Sequence, residues 1–232
     1  MLATAELRLL EAHANCRPPG ESSASRGQVR LHRTEQDLLL VRLAADTGAR
    51  RGELAAFQLN DLDGRVLHIH RAFSADVLTT PKSGHGRALT LGATTATLWR
   101  TVTDRWQARA GADRLGPWLF SPDPLHSRPL GAGALGHRFN KIRDDTGIPG
   151  ATLHRLRHSL ATHLVGNGQV LQAQARLGHA DAATTLREYA YALPLTDQDV
   201  ADALDVHLDR PRDQFTVKEP GSTGPGQLNH EA

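Results

Sequence analysis

Strand-like sequence is confined to one region of the chain. "RVLHIHRAF" (65–73) and "RALTLG" (87–92) have strand character, and "SADVLTTPKSGHG" between them supplies the Pro, Ser and Gly of a hairpin turn. Every other patterned stretch has helical spacing. The chain is therefore expected to be mainly α with a small antiparallel β-hairpin or sheet at one edge. Composition points the same way: aromatic residues are only 4% of the 232. The core must then be built mainly from Leu, Ala and Val, a composition that favours helices.

The helical pattern has recognisable punctuation. Residues 3–14 read as a short amphipathic helix with Leu7, Leu10 and Ala14 on one face. "CRPPGESSASRG" (16–27) breaks it, and a mobile loop is expected over 16–28. Thr34 is placed to cap the apolar helix "EQDLLLVRLAADTG", which ends at Gly48, a residue suited to a left-handed C-terminal turn. A second helix is expected over 50–63, ending in an Asx-rich turn. Further helices are expected at 93–110, 132–145, 152–166, 169–177 and 182–190, with a loop at 121–133. An amphipathic segment at 196–208 closes a domain spanning 1–208, and 209–232, which includes "PGSTGPGQLNHEA", should be disordered.

Charge and cysteine content narrow the class. Lys and Arg number 27 against 25 for Asp and Glu, so an anionic partner is permitted but not demanded. Clustering of arginines matters more than that sum, because phosphate recognition needs local charge and forked donors. Cys16 is the one cysteine, which rules out an intrachain disulfide framework and a multi-cysteine zinc site. The N-terminus does not resemble a signal peptide, and no apolar run reaches membrane-spanning length. These features describe a soluble, cytoplasmic protein with no membrane partner.

Single residues do not identify the chemistry. His154 and Arg157 in "HRLRH" share a helical face and can present two donors to one oxyanion, but a solvated basic face has the same pattern. His154 and His158 have the spacing of two metal ligands, yet Arg155 and Arg157 beside them would repel a dication, so no metal is expected. Arg50 and Arg51 follow a turn at Gly48, where Glu53 can orient one of them; a surface ion pair looks identical in sequence. Lys82, in the hairpin loop, has the reach to cross a cleft and is equally an ordinary turn lysine.

Their joint order is far more specific. The chain runs "TGARRGEL" (47–54), "TPKSGHGRALTL" (80–91), "HRLRHSLATHL" (154–164) and "RLGHADAATTLREY" (176–189). In this it resembles the catalytic domain of the tyrosine recombinase (phage integrase) family, over roughly residues 3–208. The resemblance implies the tyrosine recombinase catalytic fold. It implies catalytic roles for Arg50, Lys82, His154, Arg157, His179 and Tyr189, with Glu53 buttressing Arg50. Tyr189 ends a Thr-Thr-Leu-x-x-Tyr motif. Tyr191 is its rival and lies beyond the match; Arg51 and His158 are motif neighbours, the latter expected to support the site through a buried hydrogen bond.

The activity so implied is site-specific cleavage and rejoining of double-stranded DNA through a 3′-phosphotyrosine, without cofactor, metal or ATP. The arginines would hold the phosphate, Lys82 would protonate the leaving alkoxide, His154 would help deprotonate the tyrosine, and His179 would hold a phosphate oxygen. Such enzymes work as homo-oligomers, tetramers across two duplexes. The 196–208 segment is either a tail helix docked on a neighbour or a closing helix packed in cis. Only about thirty residues precede the helix leading to Arg50, too few for the family's N-terminal core-binding domain. Two alternatives are therefore open: a DNA-binding remnant that hetero-oligomerises with a full-length recombinase, and a topoisomerase-like enzyme that nicks and reseals.

Overall fold

Helix α1 (Ala24–Thr47) is the element against which the other long helices pack. In its C-terminal half Leu39, Leu40, Val41, Leu43 and Ala44 are all buried, so it is apolar almost all round, as a helix enclosed on several sides must be. The computed structural model describes residues 7, 8, 10–12, 24–75, 77–82, 84–111, 114–193, 201, 202 and 205. Residues 1–193 form one unit and 194–232 another. Residues 7, 8 and 10–12 are helical, with Leu10 in the core and Glu11 paired to Arg42 at 2.7 Å. The rest of the 16–28 loop before Ala24, the tail from 209, and most of 196–208 lie outside the described residues.

After α1 come α2 (Arg51–Ala55), a 3-10 turn (Leu59–Asp61), and strands β1 (Leu62–Asp63), β2 (Val66–Ile69), β3 (Ala72–Ser74), β4 (Val77–Thr79) and β5 (Arg87–Thr90). Helices α3 (Ala93–Ala110), α4 (Ala132–Thr146), α5 (Leu153–Gly166), α6 (Val170–Leu177) and α7 (Ala182–Tyr189) follow, close to the expected spans. The main core gathers α1–α5 and the larger sheet. A second cluster, of Ala161, Val165, Ala173, Leu177 and Tyr189, joins α5, α6 and α7.

Three expectations need correction. First, α1 begins at Ala24, not Thr34, and takes in the last residues of the expected loop. Thr34 does not cap it; its hydroxyl donates to the Arg30 carbonyl at 3.1 Å, one turn back inside the helix. The middle of α1, just after this extension, is held by polar tertiary bonds that apolar periodicity does not announce. Trp106 Nε1 donates to Glu35 at 2.8 Å, and Gln36 exchanges bonds with the Ser121 backbone at 3.1 and 3.2 Å. Arg138 pairs with Asp37.

Second, the helix expected over 50–63 stops at Ala55. The 117–119 segment captures the next backbone groups: Leu119 N–H donates to the Phe57 carbonyl at 2.9 Å, and Leu59 N–H to that of Pro117 at 2.8 Å. Third, the expected antiparallel pairing of 65–73 with 87–92 is present between β2 and β5, but the stretch between them is not a simple turn. β2 pairs antiparallel with both β1 and β5 in a three-stranded sheet, while β3 and β4 form a separate two-stranded hairpin. The run 65–73 is broken after Ile69 because Arg71 turns to pair with buried Asp61 at 2.5 Å, and Phe73 packs on Trp118 with ring centroids 5.7 Å apart. Within β2, Leu67 and Ile69 are buried and His68 is exposed, the alternation expected of a one-sided sheet.

Between α1, α3 and the 117–127 loop, the rings of His32, Trp106 and His126 stack at centroid distances of 4.3 to 5.1 Å. Gln36 can only donate from its amide nitrogen, 2.6 Å from His32 Nε2, so that ring nitrogen accepts and the imidazole is neutral. Burial, then the neighbouring His126 and Arg109, lower the His32 pKa from 6.5 to about 3. A depressed histidine costs nothing at neutral pH, but below 6.5 the unfolded chain takes up a proton that the native site refuses. Unfolding free energy measured in urea should therefore fall, by on the order of a few kcal/mol, as pH drops from 6.5 toward 3. His32→Gln should make that fall shallower.

Candidate active site

The turn that ends α1 builds one wall of a cleft. Gly48, at φ +60°, adopts the left-handed conformation that stops the helix, and its N–H bonds back to the Ala44 carbonyl at 3.3 Å. Thr47 Oγ1 donates to the Leu43 carbonyl at 2.6 Å and accepts from Ala49 N–H at 3.0 Å, fixing the exit direction. The chain then enters α2 with Arg50 at its N-cap, where Arg50 N–H donates to Glu53 Oε2 at 2.8 Å.

Glu53 is 1% exposed and is shared by two arginines. Arg87 of β5 grips it with both terminal nitrogens, Nη1 to Oε1 at 2.9 Å and Nη2 to Oε2 at 2.8 Å; Arg50 Nη1 stands 3.4 Å from Oε1. Burial alone would raise the Glu53 pKa. The hydrogen bonds and charge of Arg87, followed by the backbone N–H and charge of Arg50, instead hold it below the usual carboxylate range.

Arg157, on α5, is buried in the opposite wall. Its Nη1 donates to the Gly48 carbonyl at 2.6 Å, and its Nη2 to the Leu177 carbonyl at 2.8 Å and toward His179 Nε2 at 3.1 Å. Three of the five guanidinium N–H donors are thus engaged, which leaves two. Burial first, then the Arg50 charge, bring its pKa down to about 10, so it remains a cation at neutral pH.

The end of α6 sets His179. Gly178, at φ +64°, closes the helix in the left-handed conformation, and a Cβ there would come within 2.9 Å of Arg87 Nη1. The carbonyls freed at this terminus accept from arginines, that of Arg176 from Arg87 Nε at 2.9 Å and that of Leu177 from Arg157. Since Arg157 can only donate, His179 Nε2 accepts, and Nδ1–H donates to Thr185 Oγ1 at 2.9 Å. Burial, then the Arg157 charge, lower the His179 pKa. Asp181 caps α7 through Thr184 N–H at 2.7 Å, and one helix later Tyr189 reaches the cleft, 3% exposed.

The cleft encloses about 490 Å³, and Arg50, His154, Arg157, His179 and Tyr189 all line it. Five of the six residues singled out by sequence therefore converge. Lys82 does not: it is exposed on the turn after β4 and is not part of the lining. His158 lies beside Tyr189, with ring centroids 5.0 Å apart, while the Tyr191 side chain falls outside the described residues. Sequence reasoning missed Arg87, Thr185 and Glu188. Only Arg87 left a signal, as a charged residue two positions from Leu89 on the inward face of a strand.

The chain belongs to the phage integrase family, whose model matches residues 30–194. It is 32% identical over 171 residues to a tyrosine recombinase XerD of Listeria monocytogenes serotype 4b (strain F2365), covering 71% of this chain and 53% of that protein. A tyrosine recombinase XerC of Roseiflexus sp. (strain RS-1) is 28% identical over 165 residues, 65% of this chain and 46% of its own. The chain thus spans about half the length of the curated relatives it matches. Its fold is that of the XerA recombinase (TM-score 0.58, 22% identity, 91% of this chain and 65% of that one) and of the Tn1549 transposon integrase solved with transposon right end DNA (TM-score 0.61, 19% identity, 89% and 65%).

The crowding at Gly178 makes a direct prediction. Gly178→Ala must both strain a left-handed residue and displace the Arg87 guanidinium, so it should destabilise the protein by roughly 1–3 kcal/mol in denaturant titration. A substitution without effect would mean that the α6 terminus can relax.

Proposed function

We propose that the cleft cleaves and rejoins DNA by forming a 3′-phosphotyrosine at Tyr189, making the chain the catalytic domain of a site-specific recombinase. One observation carries this reading: two arginines, two histidines and a tyrosine, drawn from four helices and their ends, line a single cleft. A phosphodiester repels nucleophiles, and the attack adds negative charge to the non-bridging oxygens; forked cations placed beforehand stabilise that charge. Arg157, with two N–H donors uncommitted, and Arg50, 32% exposed at its side chain, are suited to this.

The phenolic oxygen of Tyr189 attacks phosphorus, its proton passing to His154 or to solvent, and the 5′-oxygen leaves as an alcohol. The phosphotyrosine conserves the bond energy, and a 5′-hydroxyl from a second duplex reverses the step. His179 would hold a phosphate oxygen. Lys82 is the general acid in this scheme, offered to bound DNA from its exposed turn. Double-stranded DNA is the substrate, and strand exchange requires several copies assembled across two duplexes, as homo-oligomers or with a longer relative.

Incubation with nicked suicide duplexes should trap a protein–DNA adduct that mass spectrometry maps to Tyr189. Tyr189→Phe should bind DNA without forming the adduct, whereas an adduct persisting in that variant would move the nucleophile to Tyr191. Arg157→Lys keeps the charge but not the fork, and should slow cleavage by about 100-fold or more.

Lys82→Ala gives a separate test of leaving-group protonation. It should slow cleavage of an ordinary phosphodiester strongly and that of a 5′-bridging phosphorothiolate little, because a thiolate leaves without a proton. Equal slowing of both substrates would remove Lys82 from the chemistry.

A further inference from the structure

Arg87 has no place in the mechanism above, yet its guanidinium is engaged at every nitrogen. All three guanidinium nitrogens donate: two to Glu53, at 2.9 and 2.8 Å, and Nε to the Arg176 carbonyl at 2.9 Å. Its side chain is 9% exposed and that of Glu53 1%. Arg50, by contrast, gives Glu53 its backbone N–H and only a 3.4 Å side-chain approach, and its side chain is 32% exposed. Two arginines compete for one buried carboxylate, and the arginine farther along the chain has won.

We infer that Arg87 is a positioning residue that saturates Glu53 and so keeps the Arg50 guanidinium available to a phosphate in the cleft. The inference rests on the reading of the cleft given above. Its physical basis is competition. A buried carboxylate that loses its partner is strongly destabilised and takes the nearest cation. Arg50, already touching Glu53 from the same turn of chain, is that cation. Without Arg87 the carboxylate draws Arg50 into a two-point pair, and the phosphate loses one of its two forks. In formal charges, Arg50, Arg87, Arg157 and Glu53 sum to +2; loss of Arg87 leaves +1, with Arg50 neutralised by Glu53.

An ordinary structural staple, tying β5 to α2 and α6, makes a different forecast. Losing a staple lowers stability, whereas losing a competitor misdirects Arg50 in a protein that is still folded. The two are separated by removing the charge for which the arginines compete.

The experiment compares wild type, Arg87→Gln and the Glu53→Gln/Arg87→Gln double variant, at a temperature where melting curves show all three folded. Two quantities are measured: the rate of adduct formation on a nicked suicide duplex, and the salt dependence of binding to that duplex. Arg87→Gln should slow adduct formation by at least about tenfold and flatten the slope of log K against log salt by roughly 0.9, the loss of one phosphate contact. In the double variant the neutral amide that replaces the Glu53 carboxylate still accepts the Arg50 N–H but no longer attracts its guanidinium, so most of both should be recovered. Wild-type behaviour in Arg87→Gln, or a defect in folded Arg87→Gln that Glu53→Gln does not repair, would overturn the inference. A wild-type chain that forms no adduct overturns the cleft reading instead, and the salt slopes then decide the role of Arg87 alone.

Discussion

One buried guanidinium ties the parts of the site together. Arg157 leaves α5 and donates to the carbonyl that ends α1 and to the carbonyl that ends α6, elements separated by more than a hundred residues of chain. Burying a cation is expensive unless its donors are met, and here backbone acceptors meet them. Carbonyls at helix C-termini are free because no further turn of helix claims them, and they carry the negative end of the helix dipole. The same physics that ends α6 therefore receives Arg87 as well. The geometry of the cleft follows from where three helices stop.

This explains a division of labour along the chain. Residues within helices, such as Leu39, Leu40, Val41, Leu43 and Ala44 of α1, fill the core, whereas the candidate chemistry other than Arg157 sits at termini. Arg50 is the N-cap of α2, His154 lies in the first turn of α5, His179 follows α6 and Tyr189 ends α7. Termini supply unpaired backbone groups and abrupt changes of direction, both of which a charged cleft needs. Tyr189 belongs to both worlds, since its ring also packs in the small cluster with Ala161, Val165, Ala173 and Leu177. The face that meets the cleft is held still by the face that meets the core.

Much of this was legible in the sequence because it is local. Helices α3 to α7 announce themselves through periodicity and caps, and Gly48 and Gly178 mark their turns by residue type alone. The five cleft residues were legible through motif order and not through any property of each alone. What escaped was non-local. The middle of α1 is tied to Trp106, Ser121 and Arg138, far along the chain, and nothing in 24–33 signals those partners. The antiparallel pairing of β2 with β5 was legible, but the break after Ile69 was not, because Arg71 answers to Asp61 and Phe73 to Trp118. Arg87 escaped for the same reason, its carboxylate partner lying 34 positions earlier.

The His179 imidazole bears on more than the assignment of a role. Its Nε2 accepts from Arg157 while Nδ1–H serves Thr185, so the ring has no hydrogen to offer a phosphate oxygen. To hold one, as proposed, the ring must present a hydrogen at Nε2: either it gains a proton there, which the entering phosphate charge favours just as burial and Arg157 opposed it before, or its proton moves from Nδ1 to Nε2 while the Thr185 hydroxyl turns to donate to Nδ1. Engagement of the substrate is a protonation event by the first route and a change of tautomer by the second. Only by the first would the heat released on binding depend on which buffer surrenders the proton, and the affinity rise as the solution is made more acidic around neutrality.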